Sequence, residues 1–374
     1  MLTRRAAMAS AASVAASALA ERTVAAGIAE SRLTTLGALA ADRGVLYGCA
    51  ASTFELRNQT FAPLLAREAR ILVAEYEMKR AALEPQPGQF DFTAADSLLN
   101  FSKQNGMAFR GHTLVWHKAN PPWLESALAS PAGKERALAG YIESVASHFR
   151  GRMHSWDVVN EALAPEEGRS DNLRNSLWLK AFGPAYIDLA FHAARATDPH
   201  ALLVYNDWGC EGPSEKHDRF RAATLDFLER AIARGVPIDA YGMQGHLQAF
   251  GPKIDQAKLH RFLDALKNLG LRILITEHDV DDSAGSLDMA VRDGAVADAS
   301  RRFLDVVLDN TATEAVLTWG LSDRFLDPPG WKETLRGYRP RLLPLDVDFV
   351  RKPMWRSMAQ SFMAMRPRLR TSNL

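Results

Sequence analysis

Cysteine is scarce in these 374 residues: Cys49 and Cys210 are the only two. That excludes a disulfide framework, and without a CxxC pair it gives no thiolate metal grip. The two thiols are expected to stay free and buried. An excess of one charge is missing too, with 45 Lys and Arg against 44 Asp and Glu, a formal +1. Nucleic acids and acidic membrane surfaces are held by clustered positive charge, so neither is the expected partner. A neutral substrate fits better. No run beyond the first residues approaches the roughly 20 apolar positions that span a bilayer. HExxH is absent, as is any nucleophilic Ser or Cys motif.

Residues 1–26 read as an export signal. Arg4 and Arg5 precede a weakly hydrophobic Ala/Ser-rich stretch that ends Ala18-Leu19-Ala20, small residues of the kind that mark a cleavage site. Paired arginines and modest hydrophobicity favour the twin-arginine route, so a periplasmic or extracellular location is expected. A weakly helical arm is the alternative reading.

From residue 31 to 374 the pattern is alternation, with no linker or low-complexity tract. Short apolar runs recur at 45–49, 71–74, 108–115, 153–159, 202–206, 240–244, 272–276 and 315–319. Amphipathic stretches with apolar residues every three or four positions fall between them, at 94–104, 138–149, 178–196, 220–233, 259–269 and 297–308. Gly106, Gly151, Gly235 and Gly270 stand just past helical runs, as C-terminal caps. Eight strands alternating with helices imply parallel pairing. One α/β domain, a closed (β/α)8 TIM barrel, is the expected fold, with a doubly wound open sheet as the alternative.

The polar residues then concentrate at one end of the runs. His112, Trp116 and His117 follow the third; Asn160 and Glu161 the fourth; Asn206, Asp207 and Trp208 the fifth. Gln244 and His246 follow the sixth, Glu277 and Asp279 the seventh, Trp319 the eighth. In a barrel all of these surround the C-terminal mouth, where active sites of that fold lie. Glu161 and Glu277 each end a β-branched run, and a carboxylate buried there needs a partner or a task. Structural ion pairs are the bland reading; an acid working with a base or nucleophile is the other. Convergence of polar groups on one mouth favours catalysis. His112 and His117 as a metal pair is the weaker alternative, since no carboxylate stands at zinc spacing; no metal or cofactor is expected. Carboxylates, amides, histidines and indoles suit a sugar substrate, the indoles covering pyranose faces and the polar groups meeting hydroxyls.

Several stretches strongly resemble family 10 glycoside hydrolases, the β-1,4-xylanases. They are Glu77-Met78-Lys79, Glu84-Pro85 through Phe92, Arg110-Gly111-His112-Thr113-Leu114-Val115-Trp116-His117, Trp156-Asp157-Val158-Val159-Asn160-Glu161, Gln244-Gly245-His246, Ile275-Thr276-Glu277 and Thr318-Trp319-Gly320, in family order. The resemblance implies a retaining endo-enzyme on a (β/α)8 barrel, without cofactor, acting on xylan or a related β-glycan polysaccharide; a monomer is expected. It implies Glu161 as acid/base and Glu277 as nucleophile, with His246 and Asp279 orienting the nucleophile. Lys79, His112, Trp116, Gln244, His246 and Trp319 match positions that line the sugar sites. Asn160 is placed to meet the 2-hydroxyl at the cleaved bond. Retention requires the two carboxyls about 5–5.5 Å apart, which strands four and seven allow. Trp208 stands where the family has Tyr, and Trp123 reads as a packing residue.

Four departures stand out. Tyr76 replaces an Asn that holds the sugar two places from cleavage, and Asp327 lies where a second tryptophan is usual. His278 occupies a position that is usually apolar, and Arg80 one that is usually Trp. Tyr76 and Asp327 fall on the distal nonreducing side, so a shifted or decorated substrate is the alternative expectation. A binding protein without catalysis is the further one.

Overall fold

Alternation of β-branched runs with amphipathic segments is realised as a ring. The computed structural model describes residues 34–326 and 338–368; the expected export signal and Asp327 lie outside them. The ring strands are β1 (Leu46–Ala51), β2 (Ile71–Ala74), β3 (Ala108–Trp116), β4 (Ser155–Asn160), β5 (Leu202–Asp207), β6 (Ala240–Met243), β8 (Arg272–Asp281) and β9 (Thr313–Thr318), with a three-residue β7 (His246–Gln248) between. Neighbours pair in parallel in chain order, β6 pairs with β8, and β9 returns to β1. That last pairing closes the barrel and removes the open-sheet alternative. All eight expected strands are present. β8 runs five residues beyond its expected end because β7 gives its outer half a partner, with His246 opposite Asp279.

Helices follow the strands: α1 (Phe61–Glu68), α2 (Thr93–Gln104), α3 (Tyr141–Phe149), α4 (Ala185–Thr197), α5 (Glu215–Ala233), α6 (Gln256–Asn268), α7 (Met289–Asp309) and α8 (Pro353–Ala364). The helix expected over 178–196 is in fact two, Leu177–Phe182 and α4. Gly183, at φ 63, and Pro184, which has no N–H to donate, separate them. Among the described residues no helix is long and apolar enough to cross a membrane. Cys49 and Cys210 are both buried and free.

Two apolar cores result. The larger lies between the sheet and the helices. A smaller one fills the barrel axis, where Ala50, Ile71, Val73, Val204, Ala240, Leu274, Ala315 and Leu317 meet. Strand alternation turns Ala108, Arg110 and His112 of β3 inward beside Ile71 and Val73. Above the apolar layer the axis is therefore ionic. The Arg110 guanidinium donates to Asp157 Oδ1 and to Ser155 Oγ (3.2 Å), while His112 Nδ1 meets Asp157 Oδ2 at 2.9 Å. Arg110, Ser155 and Asp157 are fully shielded from solvent and His112 nearly so.

Removing one member of a buried ion pair strands the other. Asp157→Ala is expected to cost about 3–5 kcal/mol in urea unfolding. The apolar replacement Arg110→Met with Asp157→Leu should recover much of that loss; an unchanged midpoint for Asp157→Ala would show the pair to be dispensable.

Candidate active site

Glu277 lies midway along β8 and is only 6% exposed. A charge in that position requires donors on both oxygens. Asn206 Nδ2, from β5, donates to Oε1 at 2.9 Å, and His246 Nε2, from β7, approaches Oε2 at 3.3 Å. The β7–β8 register places Asp279 on the far side of His246, with Nδ1 to Oδ1 at 2.8 Å. Burial disfavours the imidazolium, but the Asp279 charge and the hydrogen bonds to both carboxylates outweigh it. They hold His246 well above its ordinary value, so both ring nitrogens donate. Burial alone would raise the Glu277 carboxyl. The His246 hydrogen bond, the charges of His112 and His246, and the Asn206 amide instead bring it down to about 2.

Glu161 follows directly after β4 and is 8% exposed. Its φ is 54, a left-handed conformation that L-residues rarely adopt and that costs of order 1–3 kcal/mol. Both backbone groups are pinned to hold it there. Its N–H donates to Asn206 O at 2.9 Å, and its carbonyl accepts from Arg174 Nε at 2.9 Å. The turn swings the side chain across the mouth, where Oε1 accepts from Gln244 Nε2 at 3.1 Å and from Asn160 Nδ2 at 3.4 Å. His117 Nε2 and Lys118 Nζ each stand 3.9 Å from Oε2.

Asn206 joins the two carboxylates. Thr276 Oγ1 donates to its oxygen at 2.7 Å, which fixes the amide and points the nitrogen at both Glu277 and Asn160 Oδ1 (2.8 Å). Gly242 on β6 leaves the room for this, since a Cβ there would come within 2.3 Å of the Asn206 oxygen.

Lys79, Trp116 and Trp319 form one wall of the mouth. Lys79 Nζ lies 5.3 Å from the Trp116 ring, 5.6 Å from Trp319 and 5.9 Å from Tyr76. His112 rises from the ionic axis to meet the Trp319 ring edge-on at 5.4 Å. All nine residues singled out as site candidates, with Asp279 behind them, therefore converge on one mouth. Trp208 instead packs on Phe220 with Lys216 over its ring, and Trp123 covers Arg80 and donates to Pro85 O. Sequence reading placed Asn206 at the mouth without giving it a role, and missed Arg174. Asn206 was visible as a strand-end amide; Arg174, thirteen residues past Glu161 on no recognisable motif, was not.

The model of glycosyl hydrolase family 10 matches residues 35–361. The chain belongs to this family. Endo-1,4-beta-xylanase B of Thermotoga neapolitana is 33% identical over 298 residues, which span 79% of this chain and 82% of that one. Endo-1,4-beta-xylanase 1 of Humicola insolens is 33% identical over 78% of this chain and 65% of its own. Among solved structures, native xylanase 10B from Thermotoga maritima superposes with a TM-score of 0.79 at 31% identity, covering 88% of this chain and 98% of that chain. Xylanase 10B from Thermotoga petrophila RKU-1, in complex with xylobiose, gives 0.79 and 31% over 88% and 97%.

This family 10 glycoside hydrolase thus carries two glutamates in unlike surroundings. Glu277 has donors on both oxygens and is held ionised; Glu161 has hydrogen-bond donors on Oε1, with His117 and Lys118 at 3.9 Å from Oε2. Because the folded-state value of Glu277 lies below that of a free glutamate, its stabilisation is complete above about pH 4.5 and is lost as pH falls towards 2. His246→Ala removes the strongest donor. The acid limb of the kcat/KM profile is expected to move up by about one unit or more, and a limb that stays in place would show that His246 does not set the charge of Glu277.

Proposed function

We propose that the chain is a retaining endo-β-1,4-xylanase in which Glu277 is the nucleophile and Glu161 the acid/base. The contrast between the two glutamates carries this reading. A nucleophile must be ionised before the sugar arrives, and Glu277 is held so by Asn206 and His246. A proton donor must reach the leaving oxygen, and the turn at Glu161 aims its carboxyl across the same mouth. In the first step a Glu277 oxygen bonds to the anomeric carbon while the glycosidic C–O bond breaks, and the Glu161 proton passes to the departing glycosidic oxygen, which leaves as a hydroxyl. In the second, Glu161 takes a proton from water, the water oxygen bonds to the anomeric carbon, and Glu277 leaves with its electron pair. Net configuration is retained. Asn160, beside the acid, is placed to bind the 2-hydroxyl, a contact that tightens as the ring becomes oxocarbenium-like.

Xylan as the polymer is supported by the naming of the relatives as endo-1,4-beta-xylanases and by xylobiose in the Thermotoga petrophila complex. Action outside the cytoplasm is part of the same proposal. It is supported by the twin-arginine-like sequence of residues 1–26, and buried free thiols leave no disulfide for an exported chain to form. Tyr76 favours one refinement. Its ring is 52% exposed above Lys79, where the family's Asn would offer hydrogen bonds to a sugar two places from cleavage. Preference for a decorated xylan, or another β-linked glycan, follows from that exchange.

Glu277→Ala is expected to lower kcat by about 10⁴-fold or more, and a 2-fluoro xylobioside with a good leaving group should label Glu277 in the wild type. Glu161→Ala should lose roughly 10²–10⁴-fold on xylan, far less on an aryl xylobioside, with azide restoring turnover and giving a β-glycosyl azide. Labelling of another residue would sink the assignment. Tyr76→Asn should lower KM for undecorated xylan by roughly 3- to 10-fold, the worth of one or two hydrogen bonds; brisk wild-type turnover of undecorated xylan with no gain in the variant would remove the refinement.

A further inference from the structure

Both glutamates are served by one short segment. Gln244 reaches Glu161 and His246 reaches Glu277, and only Gly245 lies between them. The Glu277 N–H donates to the Gln244 carbonyl at 2.9 Å, tying the start of the segment to β8. Gly245 itself has φ 81, and a Cβ there would come within 3.0 Å of Ile275 Cγ2. Both of its polar backbone groups are taken by buried ionisable side chains. Its N–H donates to Glu211 Oε1 at 3.0 Å, and its carbonyl faces His278 Nδ1 at 2.9 Å. Glu211 is 5% exposed and uses its other oxygen on the Gly209 N–H at 2.8 Å. His278 is fully buried between β8 and α7, where its Nε2 meets Ser300 Oγ at 2.9 Å and its ring stacks on Phe303.

The tautomer follows from these partners. A carbonyl only accepts, so Nδ1 carries the hydrogen. Burial lowers His278 to about 4, so the ring is neutral near pH 7 and Nε2 must accept from the Ser300 hydroxyl. The ring is thus fixed at both nitrogens, with one of them aimed at the segment that carries Gln244 and His246. An apolar side chain, usual at this position in the family, offers the carbonyl no such donor.

We propose that His278 is a positioning residue for catalysis, clamping the Gly245 peptide together with Glu211 so that Gln244 and His246 are held against both glutamates at once. The proposal rests on the assignment of Glu161 and Glu277 above. The clamp acts on the reacting carboxylates and not on the sugar walls formed by Lys79, Trp116 and Trp319. Its loss therefore lowers kcat by far more than it changes KM.

Asparagine places an amide nitrogen near the position of Nδ1, and glutamine near that of Nε2, so the two replacements separate the contacts. In the full chain, assayed on xylohexaose, His278→Asn should keep kcat within about threefold. His278→Gln and His278→Leu should lose roughly 10- to 100-fold, the scale of an ångström-sized misplacement, with KM within twofold. Equal kcat for the Asn and Gln variants, or wild-type kcat for the Leu variant, would overturn the clamp. Near-UV circular dichroism checks that each variant is folded. Should the Gln and Leu variants unfold, Ser300→Ala decides: it frees the ring at Nε2 without opening a large cavity, and wild-type kcat there overturns the proposal. Glu277→Ala in the same assay tells the two failures apart. Activity surviving that change removes the catalytic assignment and the clamp with it, whereas an inactive Glu277→Ala beside equal Asn and Gln variants removes the clamp alone.

Discussion

A carboxylate that must stay ionised inside a barrel is the constraint around which this mouth is arranged. Glu277 is nearly sealed from water, so its charge exists only because fixed donors replace the solvent. Asn206 and His246 do so directly, and Asp279 keeps His246 charged in turn. Polar contacts continue down the axis. His112 lies beneath the mouth on Asp157, and Asp157 rests on Arg110. Each of these side chains is held by the one below it, so the polar part of the barrel core and the site above it are one connected system. The fully apolar layer begins only where that system ends.

Glu161 answers to a different requirement. It is held by geometry, through a left-handed turn whose N–H and C=O are pinned by β5 and by Arg174. Strain at such a position persists only where the surroundings over-determine it. Here the same residue, Asn206, supplies the backbone anchor for Glu161 and the side-chain donor for Glu277. One amide thereby fixes the relation between the two carboxyls, and its own orientation is set by Thr276. The two halves of the site cannot drift independently.

Strand positions and the gathering of polar residues at one end of them were legible, because period and turn signals are local. Which strand-end residue touches which depends on register and closure, and neither is local. Asn206 was seen at the end of its run, yet its link to Glu277 exists only because β5 and β8 flank β6. Asp279 could be placed behind His246 only by resemblance, since β7 was too short to stand out as a strand. The break at Gly183-Pro184 had its signal in plain view; apolar spacing on either side masked it. Arg174 had none, being a loop residue whose task is to hold a backbone carbonyl.

The departures from the family pattern divide along the same physical line. His278 is buried and adds a donor behind the glutamates, where a polar group is tolerable only because both ring nitrogens find partners. Tyr76 lies in the open beside Lys79. Burial lowers the Lys79 ammonium from its usual value, while the charges of Glu277, Glu75 and Glu161 oppose that shift, and three aromatic faces surround it. A cation so enclosed has little freedom to follow a new substrate. The exposed ring of Tyr76 stands apart from that balance, since it is not among the groups that keep Glu277 ionised.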